Sequence, residues 1–85
     1  MPHADIKCTT DLEIDLKTLM SNIEEVILQL DPSSGVCKGQ VVRIDEYYHS
    51  HLNIELRMFA TRERDVEFSN QLILRVDHMA KSLMK

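Results

Sequence analysis

The residue in this sequence whose position could support chemistry is the proline that follows the initiator methionine. Because the side chain of Pro2 is small, cells normally remove a methionine in front of it, which leaves proline with a free secondary amine. An α-amino group has a reference pKa of about 7.7–8.0, and burial or a nearby cation lowers that pKa further. Such an amine is neutral at physiological pH and can act as a general base. A proline at position 2 is also common without any such role, so its structural setting decides.

Other side chains could complete a site around this amine. Arg64 lies in a charged run at a predicted helix start, where a positive charge is electrostatically unfavourable, and this slightly favours a role in anion binding. Lys38 is a second candidate cation, a point charge without the bidentate fork of arginine. Tyr47 and Tyr48 could line the pocket as hydrogen-bond donors.

A short histidine cluster raises the alternative of a metal site. His49 and His51 are two residues apart, so on an extended segment they point the same way and could share a metal ion. Asp45 or His3 would have to approach as a third ligand. Because no third ligand has suggestive spacing, a polar hairpin end is the favoured interpretation. The two cysteines lack a CxxC spacing and are interpreted as free thiols.

Composition bounds the class of protein. The chain has 85 residues, enough for one domain spanning 1–85, and a net charge of −4 with a pI of about 5.4. An acidic chain is a poor non-specific nucleic-acid binder. No apolar run approaches the length of a membrane span, and the N-terminus is too polar for a signal peptide. We therefore expect no nucleic-acid or membrane partner and a cytoplasmic location, and the small core favours association with further copies.

Hydrophobic periodicity predicts five secondary-structure elements. Polar and apolar residues alternate in the first and third strand segments, and apolar residues recur at helical spacing in two longer segments. Thr10, with Glu13 three residues on, is typical of a capping box that starts the first helix. The predicted strands are 3–8, 40–48 and 52–60, and the predicted helices are 11–30 and 65–84.

These elements predict an α+β fold of the order β-α-β-β-α. Residues 3–30 and 52–84 form two strand–helix units, with both helices on one face of the sheet. The short polar link before the third strand favours a hairpin between strands two and three. The uncovered face would carry Val41 or Val42 and Phe59, which is enough apolar surface to favour a homo-oligomer.

The start of the chain and the order of its elements resemble a known family. Met1-Pro2-His3, a strand ending in Cys8, a long helix, Gly35, and then a strand, a strand and a helix are similar to the 5-carboxymethyl-2-hydroxymuconate isomerases of the tautomerase superfamily. The resemblance implies that the terminal proline is the catalytic base, as in isomerases of aromatic degradation that shift a proton in a dienol or unsaturated keto acid. It also implies substrate carboxylates bound by arginines, homotrimers and no cofactor.

The resemblance is uneven when it is carried over residue by residue. Pro2 matches the catalytic proline, and Arg64 matches an arginine at a helix start. Where the family tends to place an arginine at the beginning of strand two, this chain has Lys38-Gly39-Gln40, and Gln40 carries no charge. The family also continues with a further strand, whereas this chain stops at Lys85, so we expect either a short variant or a truncated form whose assembly can differ.

Three functional hypotheses follow. The leading one is a cofactor-independent tautomerase acting on a small unsaturated keto or enol carboxylic acid, with Pro2 as general base and Arg64, helped by Lys38, binding the carboxylate. The alternative is a non-catalytic homo-oligomeric association module that retains the tautomerase fold. A third is a small-ligand-binding regulatory domain, which no specific motif favours.

Overall fold

The structure, a computed structural model, describes residues 2–58 and 65–84. The elements are β1 (His3–Thr9), α1 (Leu16–Leu30), β2 (Lys38–Ile44), β3 (Leu52–Arg57) and α2 (Val66–Leu83). The α+β class and the order β-α-β-β-α agree with the prediction. No helix within the described residues is long and apolar enough to cross a membrane.

The first strand is the centre of a three-stranded mixed sheet with the order β2-β1-β3. β1 runs parallel to β2 and antiparallel to β3. The predicted hairpin between β2 and β3 is therefore wrong, because β1 lies between them. The link after β2 crosses the end of β1 instead, where the Thr9 amide donates to His51 O at 3.1 Å and the Thr10 amide to Ile44 O at 3.1 Å.

Three predicted boundaries need correction. β2 ends at Ile44, so Tyr47 and Tyr48 lie in the link after it and not in the strand. α1 begins at Leu16, five residues later than predicted, because Asp15 and not Thr10 caps it. The predicted third strand extends to residue 60, but the strand ends at Arg57 and residues 59–64 lie outside the described part of the chain.

Both helices cover the same face of the sheet, as predicted. Ala4 and Ile6 alternate along β1, are 1% exposed, and form one core with seven helical residues: Leu19, Ile23, Ile27, Phe68, Leu72, Val76 and Ala80. Burying one such large aliphatic side chain contributes about 1.5–3 kcal/mol relative to leaving it exposed. Gly39 lets α1 approach β2 closely, because a Cβ at that position would lie only 2.8 Å from Met20 Sδ.

The opposite face of the sheet is more polar than predicted. Val41 is half-buried and packs against the core, while Val42 is exposed and Phe59 lies outside the described residues. By the strand pairing, the open face carries mainly polar and charged side chains: His3, Asp5, Lys7, Thr9, Lys38, Gln40, Val42, Ile44, Asn53, Glu55 and Arg57. The described part of this face therefore gives little apolar support for an oligomer.

The cap of α1 predicts a loss of stability in acid. The Thr18 amide donates to Asp15 Oδ1 at 3.1 Å and the Thr18 hydroxyl to Oδ2 at 2.9 Å, and these bonds hold the pKa of Asp15 below its ordinary 3.8. A depressed folded-state pKa gives stability that is complete above the ordinary value and is lost as pH falls through the lowered one. We expect Asp15→Asn to remove that part of the acid-induced fall in Tm between pH 5 and pH 2. An equal fall in Tm between pH 5 and pH 2 in Asp15→Asn and in the parent protein, measured by thermal denaturation, would contradict this role.

Candidate functional site

The strand registers gather basic side chains at the start of β1. His3 pairs with Lys38 on one side and with Arg57 on the other. Paired residues of neighbouring strands point to the same face of a sheet, so all three side chains lie on the open face. A row of basic residues therefore crosses the sheet one residue after Pro2.

Pro2 is fixed at this end of the sheet. Its carbonyl oxygen accepts a hydrogen bond from the Lys38 amide at 2.9 Å, and its ring is less than 2% exposed. Pro2 directly precedes the central strand, which is held on both sides by its neighbours. Any chemistry at the proline nitrogen would therefore start from a fixed backbone position and not from a mobile terminus.

Asp5 links all three strands on the open face. Gln40 Nε2 donates to Asp5 Oδ1 at 2.6 Å, and the Arg57 guanidinium donates to Oδ2 and forms an ion pair with it. The Asp5 side chain is 16% exposed, whereas that of Arg57 is 68% exposed. Arg57 is therefore held by one of its nitrogens while much of its guanidinium remains accessible to a ligand.

These residues enclose a shallow open cavity of about 470 Å³. It is lined by His3, Asp5, Lys38, Gly39, Gln40 and Arg57. Two cations and one carboxylate leave one positive charge on the lining when the histidine is neutral. Such a cavity has the sign and the size to hold a small carboxylate.

The structure brings some of the predicted site residues together and separates others. Lys38 lies beside Pro2, as the bond between their backbones shows. Tyr47 and Tyr48 follow β2 at the other end of β1, about 20 Å away at the usual rise along a strand. Within one chain they therefore cannot line this cavity, and Pro2 is not among its lining residues either. Arg64 lies outside the described residues.

Tyr47 belongs to a separate polar cluster in the β2–β3 link. Desolvation, together with the hydrogen bond and charge of Asp11, raises the pKa of Tyr47. The Ser50 hydroxyl also donates to Asp11, and this bond is the largest of the causes that lower the pKa of that carboxyl. The cluster anchors the link to the segment after β1.

In the described part of the chain, the two histidines of this link have no third ligand with which to hold a metal ion. His51 Nδ1 lies 3.0 Å from His49 O, and His49 has a positive φ of 71°. Among the described residues, no group of three or more His, Cys, Asp or Glu side chains could hold a metal ion. The contact between ring nitrogen and carbonyl is that of a tight polar link.

Arg57 and Asp5 were not predicted as site residues. The alternation of β3 places Arg57 on the solvent side, but only the sheet order reveals that this side is also next to His3. Asp5 meets Gln40 and Arg57 across sequence separations of 35 and 52 residues. The signal available beforehand was limited to the outward positions of both residues in alternating strands.

A second and larger concavity lies between β3 and α2. This groove has a volume of about 780 Å³ and is mainly apolar, with Leu52, Ile54 and Leu56 on the strand side and Phe68, Leu72 and Val76 on the helix side. β3 is an edge strand of the three described. The groove therefore runs along a sheet edge that no described strand covers.

Comparisons with protein families, with curated proteins and with solved structures found no match to this chain. The functional assignment therefore depends on the residues and the geometry of the site.

Proposed function

We propose that the chain is a cofactor-independent tautomerase that shifts a proton in a small unsaturated keto or enol carboxylic acid. The observation that supports the proposal is the pairing of His3, the residue after Pro2, with both Lys38 and Arg57. On this proposal the α+β layers are those of a tautomerase fold, the protein is cytoplasmic, and Pro2 is the general base.

The chemistry requires a neutral amine and a counter-charge for the developing enolate. On this proposal the positive charges of Lys38 and Arg57 disfavour the charged ammonium form of Pro2 once Met1 has been removed. Lys38 and Arg57 then bind the substrate carboxylate and stabilise negative charge in the transition state. Arg64, which the resemblance implies, is a further cation in this proposal.

Two measurements test the function directly. Mass spectrometry of the intact protein establishes whether Met1 is absent, because a retained methionine blocks the amine. An assay of keto–enol conversion of phenylenolpyruvate then measures proton transfer on a simple acid. A processed protein that leaves the uncatalysed rate unchanged for this and related enol acids would refute the proposal.

The cations should act mainly on substrate binding. We expect Lys38→Gln and Arg57→Gln each to raise KM about tenfold, because each removes a charge-assisted contact to the carboxylate worth about 1.5 kcal/mol. Arg64→Ala should act in the same direction and raise the basic pKa of the free enzyme. Steady-state kinetics check this, with Lys7→Gln as the control on the same face outside the cavity. Unchanged KM values in all three variants would remove the cations from the site.

The association-module hypothesis is favoured by a separate observation. The apolar groove beside β3 is lined in part by Ile73 of α2, an apolar residue that is 65% exposed. We propose a homo-oligomer on either hypothesis, and the family resemblance favours a trimer. Sedimentation equilibrium at high concentration should show a species heavier than 9.9 kDa. A monomer under these conditions would contradict both the trimer and the association module.

A further inference from the structure

We infer that the cavity at the start of β1 is balanced for one carboxylate, so its substrates are monocarboxylic keto or enol acids and Asp5 excludes dicarboxylates. This inference deepens the proposed function and depends on it for the identity of the reaction. It is carried by the composition of the cavity lining and by the position of Asp5 among its cations.

The first step is the charge balance. Lys38 and Arg57 contribute two positive charges to the lining, and Asp5 removes one of them through its ion pair with Arg57. One substrate carboxylate neutralises the remaining charge. A second carboxylate would enter a lining without net positive charge, where Coulombic attraction no longer offsets the cost of removing water from an anion.

The second step is the arrangement of the anionic side. Glu55 pairs with Asp5 across β1 and β3 and is exposed on the same face. The row of the sheet after His3 therefore presents two carboxylates where the first row presents cations. When the substrate carboxylate binds at the Lys38–Arg57 row, the remaining atoms of the substrate extend either away from the next row or over Asp5 and Glu55. A second carboxylate at that place meets repulsion.

The third step is the role of Gln40. Its amide nitrogen donates to Asp5 at 2.6 Å and thereby helps to hold that carboxylate in the cavity wall. A cation at position 40 would raise the net positive charge of the lining, which would then favour a second carboxylate. Gln40 is therefore a residue that sets specificity through charge, and Asp5 is a positioning residue for Arg57.

The test uses two five-carbon keto acids that differ by one carboxylate, 2-oxopentanoate and 2-oxoglutarate. Each acid is titrated at low ionic strength into processed protein, and Kd is obtained from the amide shifts of the residues that line the cavity. We expect the parent protein to bind 2-oxopentanoate at least as tightly as it binds 2-oxoglutarate. Asp5→Asn should move the ratio of the two Kd values about fivefold toward 2-oxoglutarate, as expected for one unit charge at a partly exposed site.

A second variant separates the effect of charge from the effect of losing the inter-strand hydrogen bonds that Asp5 makes. Gln40→Lys adds a positive charge while Asp5 stays in place, and it should move the ratio in the same direction. Asp77→Asn is the matched control, since it makes the same chemical change on α2 and should leave the ratio at the parent value. The inference is overturned if neither cavity variant changes the ratio, if the control changes it equally, or if neither acid shifts the lining amides.

The binding titration tests the specificity inference, and the turnover assay tests the proposed reaction, so that either can be wrong without the other. If the Kd ratio responds as expected but no enol acid is converted, the charge balance stands as a binding property and the proposed reaction is wrong. If enol acids are converted but the ratio is indifferent to Asp5 and Gln40, the tautomerase proposal stands and the specificity inference is wrong.

Discussion

Replacing Pro2 with alanine should lower kcat/KM for phenylenolpyruvate by about a hundredfold or more, the lower range of general-base contributions. Alanine retains an amine after methionine removal, but the amine is primary and is no longer held in a ring. Because the Pro2 ring is less than 2% exposed, the variant also loses some packing. The assay therefore belongs well below the Tm of the variant, with circular dichroism to establish that the fold is intact.

Protein that retains Met1 provides the complementary comparison, because the proline nitrogen is then part of an amide and cannot accept a proton. We expect this form to be as inactive as Pro2→Ala while it remains folded. Lys7→Gln, on the open face but outside the cavity, should keep the parent rate. Parent-like turnover by either the alanine variant or the methionine-retaining form would show that Pro2 is not the base.

Replacing the buried side chain of Leu19 with alanine should cause a large loss of stability. Leu19 is fully buried in α1, and a buried leucine-to-alanine change costs about 3 kcal/mol or more. A domain of 85 residues has a total stability of about 8 kcal/mol at typical values per residue. We expect Leu19→Ala to lower Tm by about 15 °C, as measured by thermal denaturation.

Leu74→Ala is the matched control for this change. Leu74 also lies in a helix, so the helix-propensity term is the same, but its side chain is 63% exposed. Its substitution should change the free energy of unfolding by less than about 0.5 kcal/mol. Equal losses in both variants would mean that Leu74 is buried in solution, and that result would favour association through α2.

Local sequence patterns predicted most of the secondary-structure elements. They did not predict the features that depend on pairing between distant segments of the chain. Polar and apolar residues alternate in β1 and β3 because one face of each strand is buried and the other is exposed. This alternation predicted both strands. The sheet order was not, because the short link before β3 fits a hairpin as well as a crossing over the end of β1. Tyr47 and Tyr48 have high strand propensity, yet β1 ends at Thr9 and offers no partner beyond Ile44.

The start of α1 shows how two capping signals compete. Thr10 with Glu13 fits a capping box, but Asp15 with Thr18 three residues on makes the actual cap. Leu12 is half-buried although it precedes the helix, and its spacing of four residues from Leu16 resembled a helical turn. Of the residues that line the cavity, Lys38 was predicted from the sequence as a binding residue, whereas Pro2 is not in the lining and its role stays a prediction. Arg57 required knowledge of the register, which composition and periodicity do not contain.

The burial of Pro2 has a consequence for the maturation of the chain. On the proposed function, the enzyme that removes Met1 must reach the peptide bond before Pro2, but in the folded sheet that proline is buried and its carbonyl is bonded to Lys38. During synthesis β1 is made first, and β2 and β3, which hold it on either side, are made later. We therefore expect methionine excision to precede closure of the sheet. The order of two events on the ribosome would then decide whether a given copy carries a free proline amine.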